Sequence, residues 1–401
     1  MWQPGEVQTA STTALLRVMN ERAVFAAVFR LGRASRPELA QLTGLSKPTV
    51  AVALTNLESA GLLRQTGSRS GAAGRSALLY EVRPAAGYVL AVDIGRAYVR
   101  MALADLVGDV VARVDDPAAG PGADDLVAQL ARLADELTAT AGVGRGDVTL
   151  AVFGTPGIHD EANGSLHLAP NLPGWEQRDS LDRLAGVAGP TYTVENDVDL
   201  AAIGEATYGL GRDVPHFVYL HIGTGLGMGI VIDGKLYRGF RGAAGEIGYL
   251  PIGEGDPLLH QPGVRGRGMF ESVASAAGVV ATAKRFGMTG ATSAKDVLDA
   301  ARAGDEAARR AVDQEVEHLS RAVAGVAAVL DPELVVLGGG VGSHAGDLLT
   351  APLLDRLGHL VALEPPRIEV STLGGDAVLL GALASGLAAA RDLVLDRAAT
   401  A

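Results

Sequence analysis

The stretch Thr191–Tyr249 constrains the chain most, because it sets an Asn-Asp pair, a glycine turn behind an apolar run and a Gly-Glu corner within a short length. Asn196 and Asp197 end a short β-type run, where amide and carboxylate groups can grip a polyhydroxylated ligand. Gly223, Thr224 and Gly225 follow the strand-like FVYLHI, and such a turn lets backbone N–H groups approach phosphate oxygens. A hydroxyl-binding side and a phosphate-binding side are thus written next to each other.

At 401 residues the chain is longer than one average domain, and its charge says where to divide it. Residues 1–83 hold nine Arg and Lys47 against five Glu, a surplus of +5, whereas residues 84–401 carry −17 of the total −12. A small basic domain therefore precedes a large acidic one, and any nucleic-acid contact is expected in the first. The chain has no cysteine, which excludes disulfides and thiolate metal sites and fits a reducing cytoplasm. No basic-then-apolar leader is evident and no apolar run of bilayer length is read, so the expectation is a soluble cytoplasmic protein without a membrane partner.

Within residues 1–83, the spacing of Leu15, Met19, Val24, Phe25, Val28 and Phe29 predicts an amphipathic helix ending near Gly32. Ser35, Pro37 and Glu38 form a helix start of capping-box type, and Gly44 breaks the chain. Ser46 caps a further helix whose Val50, Leu54 and Leu57 make a buried stripe, with Lys47, Thr49, Ala53 and Asn56 on other faces. Helix, tight turn and helix, followed by two strand-like runs around a Gly/Ser/Arg tip, predict a winged helix-turn-helix. Lys47 and Thr49 are the candidates for groove or phosphate contact from the second helix, and Arg69 and Arg75 for contact from the wing.

Beyond Pro84, strand-like runs alternate with Ala/Leu-rich helices, the pattern of an α/β fold. Residues 88–106 read as two strands joined at Gly95, 124–140 as a helix, 148–154 as a strand, and Asp233-Gly234 as a two-residue hairpin turn. Val312, Val316, Leu319, Val323, Val326 and Leu330 mark a long buried helix stopped by Asp331-Pro332. LVVLGGGVG then repeats the strand-plus-glycine pattern, with Gly338, Gly339 and Gly340 as the second turn. Two such turns predict a nucleotide-like cleft between two lobes.

With these motifs in place the chain resembles the ROK family (repressors, open reading frames and sugar kinases). The resemblance rests on Asp93-Ile94-Gly95, residues 170–175 (PNLPGW), Glu195-Asn196-Asp197, the 223–229 run, Gly245-Glu246-Ile247-Gly248, Glu271 with Ser275, and the 338–342 run. It implies a two-lobed, actin-like domain of the sugar-kinase and ribonuclease-H kind over residues 84–401, behind a winged helix over 1–83. It also implies that Asn171, Asn196, Asp197, Glu246 and Glu271 bind sugar hydroxyls, and that Asp197 is the general base where kinase activity is kept. Asp93 and Gly95, together with the two later glycine turns, correspond to the family's nucleotide-holding turns.

Two departures qualify the resemblance. The first phosphate turn runs Asp93-Ile-Gly-Arg-Ala-Tyr98, where kinases of the family have Asp-Ile-Gly-Gly-Thr; Arg96 adds bulk and the Thr hydroxyl is lost. The family's His/Cys3 zinc corner is replaced at all four positions, by Tyr249, Pro262, Val264 and Met269, with His260 the lone histidine nearby. Tyr249 is expected to replace a histidine hydrogen bond to sugar or to fill the gap as an aromatic core residue. No metal and no cofactor are expected. The expectation is a sugar-responsive repressor acting as a dimer or dimer of dimers, with double-stranded operator DNA and a sugar or sugar phosphate as partners. The alternative is an ATP-dependent sugar kinase with an accessory DNA-binding head.

Overall fold

The computed structural model describes residues 12–400 except 71–75, 121, 161–162, 168–173, 190, 254, 256–258, 260–263 and 363. The chain opens with α1 (Thr12–Leu31), β1 (Ala34–Ser35), α2 (Arg36–Thr43), α3 (Lys47–Ser59), β2 (Leu63–Ser70) and β3 (Ser76–Val82). The strands form an antiparallel sheet in the order β1-β3-β2, which is a winged helix. Its turns follow local chemistry. The Ser35 amide and hydroxyl both donate to the Glu38 carboxylate, at 2.8 and 2.6 Å. Gly44 closes α2 at φ 70°, and the Ser46 hydroxyl accepts from the Thr49 amide at the start of α3.

The first lobe contains β4 (Tyr88–Ile94), β5 (Tyr98–Asp105), β6 (Val110–Pro117), α4 (Ala123–Ala141), β7 (Val148–Thr155), the hairpin β8 (Ile158–Asp160) and β9 (Ser165–His167), α5 (Ala185–Ala188), β10 (Tyr192–Asn196) and α6 (Asp197–Tyr208). The second begins with β11 (Phe217–Ile222), β12 (Leu226–Ile232) and β13 (Lys235–Leu236). It continues through α7 (Val264–Arg267), α8 (Met269–Ala274), α9 (Ala276–Arg285), α10 (Ala294–Ala303), α11 (Glu306–Leu330), β14 (Leu334–Gly338), α12 (Gly339–His344), α13 (Gly346–Leu360), β15 (Arg367–Val370) and α14 (Ala377–Thr400).

The two large sheets share one topology. In each, the first strand is central, the second and third fold back antiparallel on one side, and the fourth and fifth run parallel on the other: β6-β5-β4-β7-β10 and β13-β12-β11-β14-β15. The β12–β13 turn has Asp233 at φ 52° and Gly234 at φ 69°, the two left-handed residues of a type I′ hairpin. Helices α6 and α14 lie between the sheets and cross at glycines. A Cβ at Gly381 would overlap the Leu200 carbonyl oxygen, and one at Gly204 the Ala377 carbonyl oxygen.

Three expectations change. Both later glycine turns belong to the second lobe, because β11 and β14 are adjacent parallel strands and their turns sit side by side at one sheet end. Helix α1 buries Val24, Phe25 and Val28 but leaves Leu15 and Met19 more than half exposed, so the apolar stripe is covered only along its C-terminal half. Residues 374–400 are long and apolar enough to cross a bilayer by length and composition, contrary to the reading above. The segment is instead half buried and carries α14, which packs on α6 and on β4 and β7.

The winged helix is seated on that same helix. Arg22 of α1 bridges Asp392 and Asp396 at 2.6 Å each, and the Arg391 guanidinium lies 3.6 Å from the centre of the Phe29 ring. Val24, Phe25 and Val28 share one buried apolar cluster with Val89, Leu383, Leu387 and Val394. The winged helix and the first lobe thus have a common core.

Candidate functional site

The N-terminus of α6 brings the sugar-side residues together. Asn196 is its cap: the side-chain oxygen accepts from the Val198 and Asp199 amides at 2.9 and 3.1 Å, while the amide group donates to the Gly157 carbonyl at 3.0 Å. Only one N–H of Asn196 is left for a ligand. Asp197, the next residue, is raised above the ordinary carboxylate range by burial, against the pull of His221. His221, on β11, is lowered by burial and opposed by Asp197. Sequence reasoning missed this histidine, although its place two residues before Gly223 was the available signal.

Three more acids crowd the same region. Asp199 is pushed up to about 7 by burial, with Glu195, Asp197 and Glu246 adding to the effect and Arg238 opposing it. Glu246 rises to about 7 through burial and the charges of Asp197 and Glu271. Glu271 is raised by burial, although it accepts from the Leu226 amide at 3.1 Å. A carboxyl group that is protonated can donate as well as accept hydrogen bonds, and burial favours that form here, which suits sugar hydroxyls. The Gly-Glu corner is fixed by its glycine: Gly245 has φ 91°, and a Cβ there would overlap the Met228 carbonyl oxygen. Asn171 lies outside the described residues.

At the position of the family's zinc corner the residues present do not fit a zinc ion, since Tyr249 and Met269 supply no histidine or thiolate donor. The corner is held otherwise. The Tyr249 hydroxyl donates to the Gly266 carbonyl at 3.3 Å, tying residues 245–249 to α7. Tyr249 is 42% exposed, so it bridges the corner and does not fill a core. Its hydroxyl is raised by burial, then by Glu246 and Glu271. Residues 260 and 262 lie outside the described set.

On the side expected to hold phosphate, several turn groups are engaged within the chain. Asp93 is 5% exposed and accepts from Arg100 at 3.0 Å, its register partner across β4 and β5. Burial lifts it to about 6 despite Arg100. Arg96 points to solvent at the turn, and the Gly95 amide is spent on the Tyr98 carbonyl. In the second lobe the Gly223 amide donates to the Gly225 carbonyl, leaving Thr224 exposed at the apex. A Cβ at Gly338 would overlap the Tyr219 hydroxyl, and Gly339, at φ 77°, packs against the Ile222 backbone. Gly340 faces open space. The Gly338–Gly340 run opens α12 and is not a free turn.

On the winged helix, α3 presents Lys47, Pro48, Val52 and Thr55 to solvent. Thr49 is half-buried with its hydroxyl 2.7 Å from that of Ser46, Ala53 is core, and Asn56 donates to Glu21 of α1 at 2.6 Å. Ala53 and Asn56 thus serve packing, and Val52 and Thr55 are the exposed residues that the helical pattern had not singled out. Arg69 stands on β2 with its side chain outside the described set, and Arg75 lies outside it altogether.

Residues 89–388 match the ROK family, and residues 21–64 match a winged helix-turn-helix DNA-binding family. The chain belongs to the ROK family. Among ROK relatives, a glucokinase of Thermotoga maritima is 31% identical over 73% of this chain and 95% of its own length. A xylose repressor of Caldicellulosiruptor bescii is 27% identical over 92% of this chain and 96% of its own. The fold matches the crystal structure of a ROK family transcriptional regulator, a homologue of the E. coli MLC protein, with a TM-score of 0.77 at 24% identity over 96% of this chain and all of that one. A ROK hexokinase from Thermus thermophilus superposes with a TM-score of 0.65 at 28% identity, over 76% of this chain and 99% of that one.

Proposed function

We propose that the protein is a sugar-responsive, DNA-binding transcriptional repressor of carbohydrate-related genes, acting in the cytoplasm as a homodimer or dimer of dimers. The observation that carries this reading is the shared core between the winged helix and the sugar-binding domain, in which Arg22, Phe29 and Arg391 clamp α1 to α14. A ligand that changes how the lobes close acts on α6, on α14 crossed with it, and through α14 on the DNA-binding head. Asn196, Asp197, Glu246 and Glu271 are the proposed sugar ligands, with Asn171. Lys47, Thr49, Arg69 and Arg75 are the proposed DNA-contacting residues, and two heads of a symmetric dimer would read two half-sites. A mobility-shift titration tests the reading: operator-length duplex is bound at low salt and released as the cognate sugar is added.

The likeness to a glucokinase and the place of Asp197 favour a second reading, an ATP-dependent sugar kinase with a DNA-binding head. Arg100 on Asp93 and the exposed Arg96 at the first phosphate turn weigh against it. Sugar-dependent release of ADP that disappears in Asp197→Ala would establish the kinase.

A further inference from the structure

Beside the sugar ligands lies a cavity of about 720 Å³ that they do not use up. Its floor is the start of α6, at Asn196 and Asp199; one wall is the β8–β9 hairpin of the first lobe, with His159, Asp160 and His167. The other wall is the loop after β13 in the second lobe, where Gly239 and Gly242, at φ 73° and 70°, hold Phe240 out at 96% exposure on the cavity rim.

We propose that this cavity is a subsite for a second sugar ring, so that the effector is a di- or oligosaccharide spanning both lobes. The inference rests on the sugar-responsive reading above. Three observations carry it. The volume lies well inside the roughly 300–1,000 Å³ range of sites that hold drug-sized ligands, more than a single pyranose needs. The lining mixes apolar surface with internally paired polar groups: Arg238 holds Glu195 through two bonds of 3.0 and 3.1 Å, and the His167 ring nitrogen lies 2.9 Å from the Asp160 carboxylate. Such paired groups keep lone pairs and N–H groups for hydroxyls without demanding an ion. Phe240 supplies the third requirement, an aromatic face whose negative quadrupole attracts the C–H face of a pyranose. A ring stacked there while its neighbour sits by Asp197 touches both lobes, the contact a closure-driven response needs.

Isothermal titration of the full chain with xylose and xylobiose, glucose and cellobiose, and glucose and maltose tests this. In the recognised pair the disaccharide should bind about tenfold more tightly, the factor that one aromatic contact and a hydrogen bond supply. Phe240→Ala should remove that gain and leave monosaccharide affinity within about threefold, with an unchanged sedimentation coefficient. Disaccharides that bind no better than monosaccharides overturn the subsite alone. So does a gain shown instead by a uronate or sugar phosphate and lost in Arg241→Gln, and so does a Phe240→Ala variant with altered oligomeric state. If no sugar binds at all, the subsite falls together with the sugar-responsive reading.

Discussion

The two lobes are the same strand diagram with different chemistry at the first hairpin. In the second lobe the β11–β12 turn keeps its small residues, and Glu271 reaches the Leu226 amide just behind it. In the first lobe the β4–β5 turn carries Arg96, and the aspartate beneath it is matched by Arg100 from the neighbouring strand. Topology thus places two turns toward one cleft, and the side chain beneath each turn decides whether the cleft is open to an outside ion. Here the aspartate of the first turn is matched from within by Arg100, and the proposed hydroxyl-binding side keeps its acids.

The helix crossing that both lobes depend on gives the largest expected effect. Gly381→Val should cost about 4 kcal/mol or prevent folding, since the new side chain meets the Leu200 backbone. Gly358→Ala, in a helix where a Cβ meets nothing within 4 Å, should be neutral or stabilising by up to about 1 kcal/mol. Thermal melts of the two variants separate a packing requirement from a general glycine effect.

Next comes the contrast between the two sides of the cleft. Asp197→Asn should weaken sugar binding at least about tenfold, through loss of a hydrogen bond to an acidic group. Arg100→Gln should leave sugar affinity within about twofold, because Arg100 serves Asp93 and not the sugar. Calorimetric titration of both variants checks this, and equal losses would erase the distinction between the sides.

Acidity supplies a third handle. Asp93, Asp199 and Glu246 have folded pKa values of about 6, 7 and 7, above the ordinary carboxylate range. Between about pH 4 and pH 7 the folded state therefore binds more protons than the unfolded one, and these groups stabilise the fold at low pH and lose that contribution as pH rises through their folded values. The melting temperature of Glu246→Gln should fall less than that of the parent over this window. An identical pH profile would place Glu246 in ordinary solvent.

Much of this arrangement was legible in the sequence, and the reasons are local. The Ser35–Glu38 box, the Ser46 cap, the Asp233-Gly234 turn and the Asp331 stop announce themselves because a few adjacent residues settle each of them. Pairing across strands was not legible: nothing in the string says that Arg100 lies opposite Asp93, or that the Gly223 and Gly338 turns share one sheet end. His221 escaped notice because its meaning comes from Asp197, on another element. The motif suggests only sugar for Asn196, but its helix-capping bonds compete for the same atoms. Ser46→Ala, the smallest effect, should cost about 1 kcal/mol through loss of the α3 cap, measurable as a lower denaturation midpoint.

The proposed sugar site and the DNA-binding head are expected to be energetically coupled through α14. Coupling of two binding equilibria is reciprocal, so DNA that is released by sugar must itself weaken sugar binding by the same factor. The most direct measurement is the sugar dissociation constant of the full chain by calorimetry, with and without saturating operator duplex. Sugar binding should be weaker in the presence of DNA, by about fivefold or more. Equal constants in the two titrations would contradict the coupling.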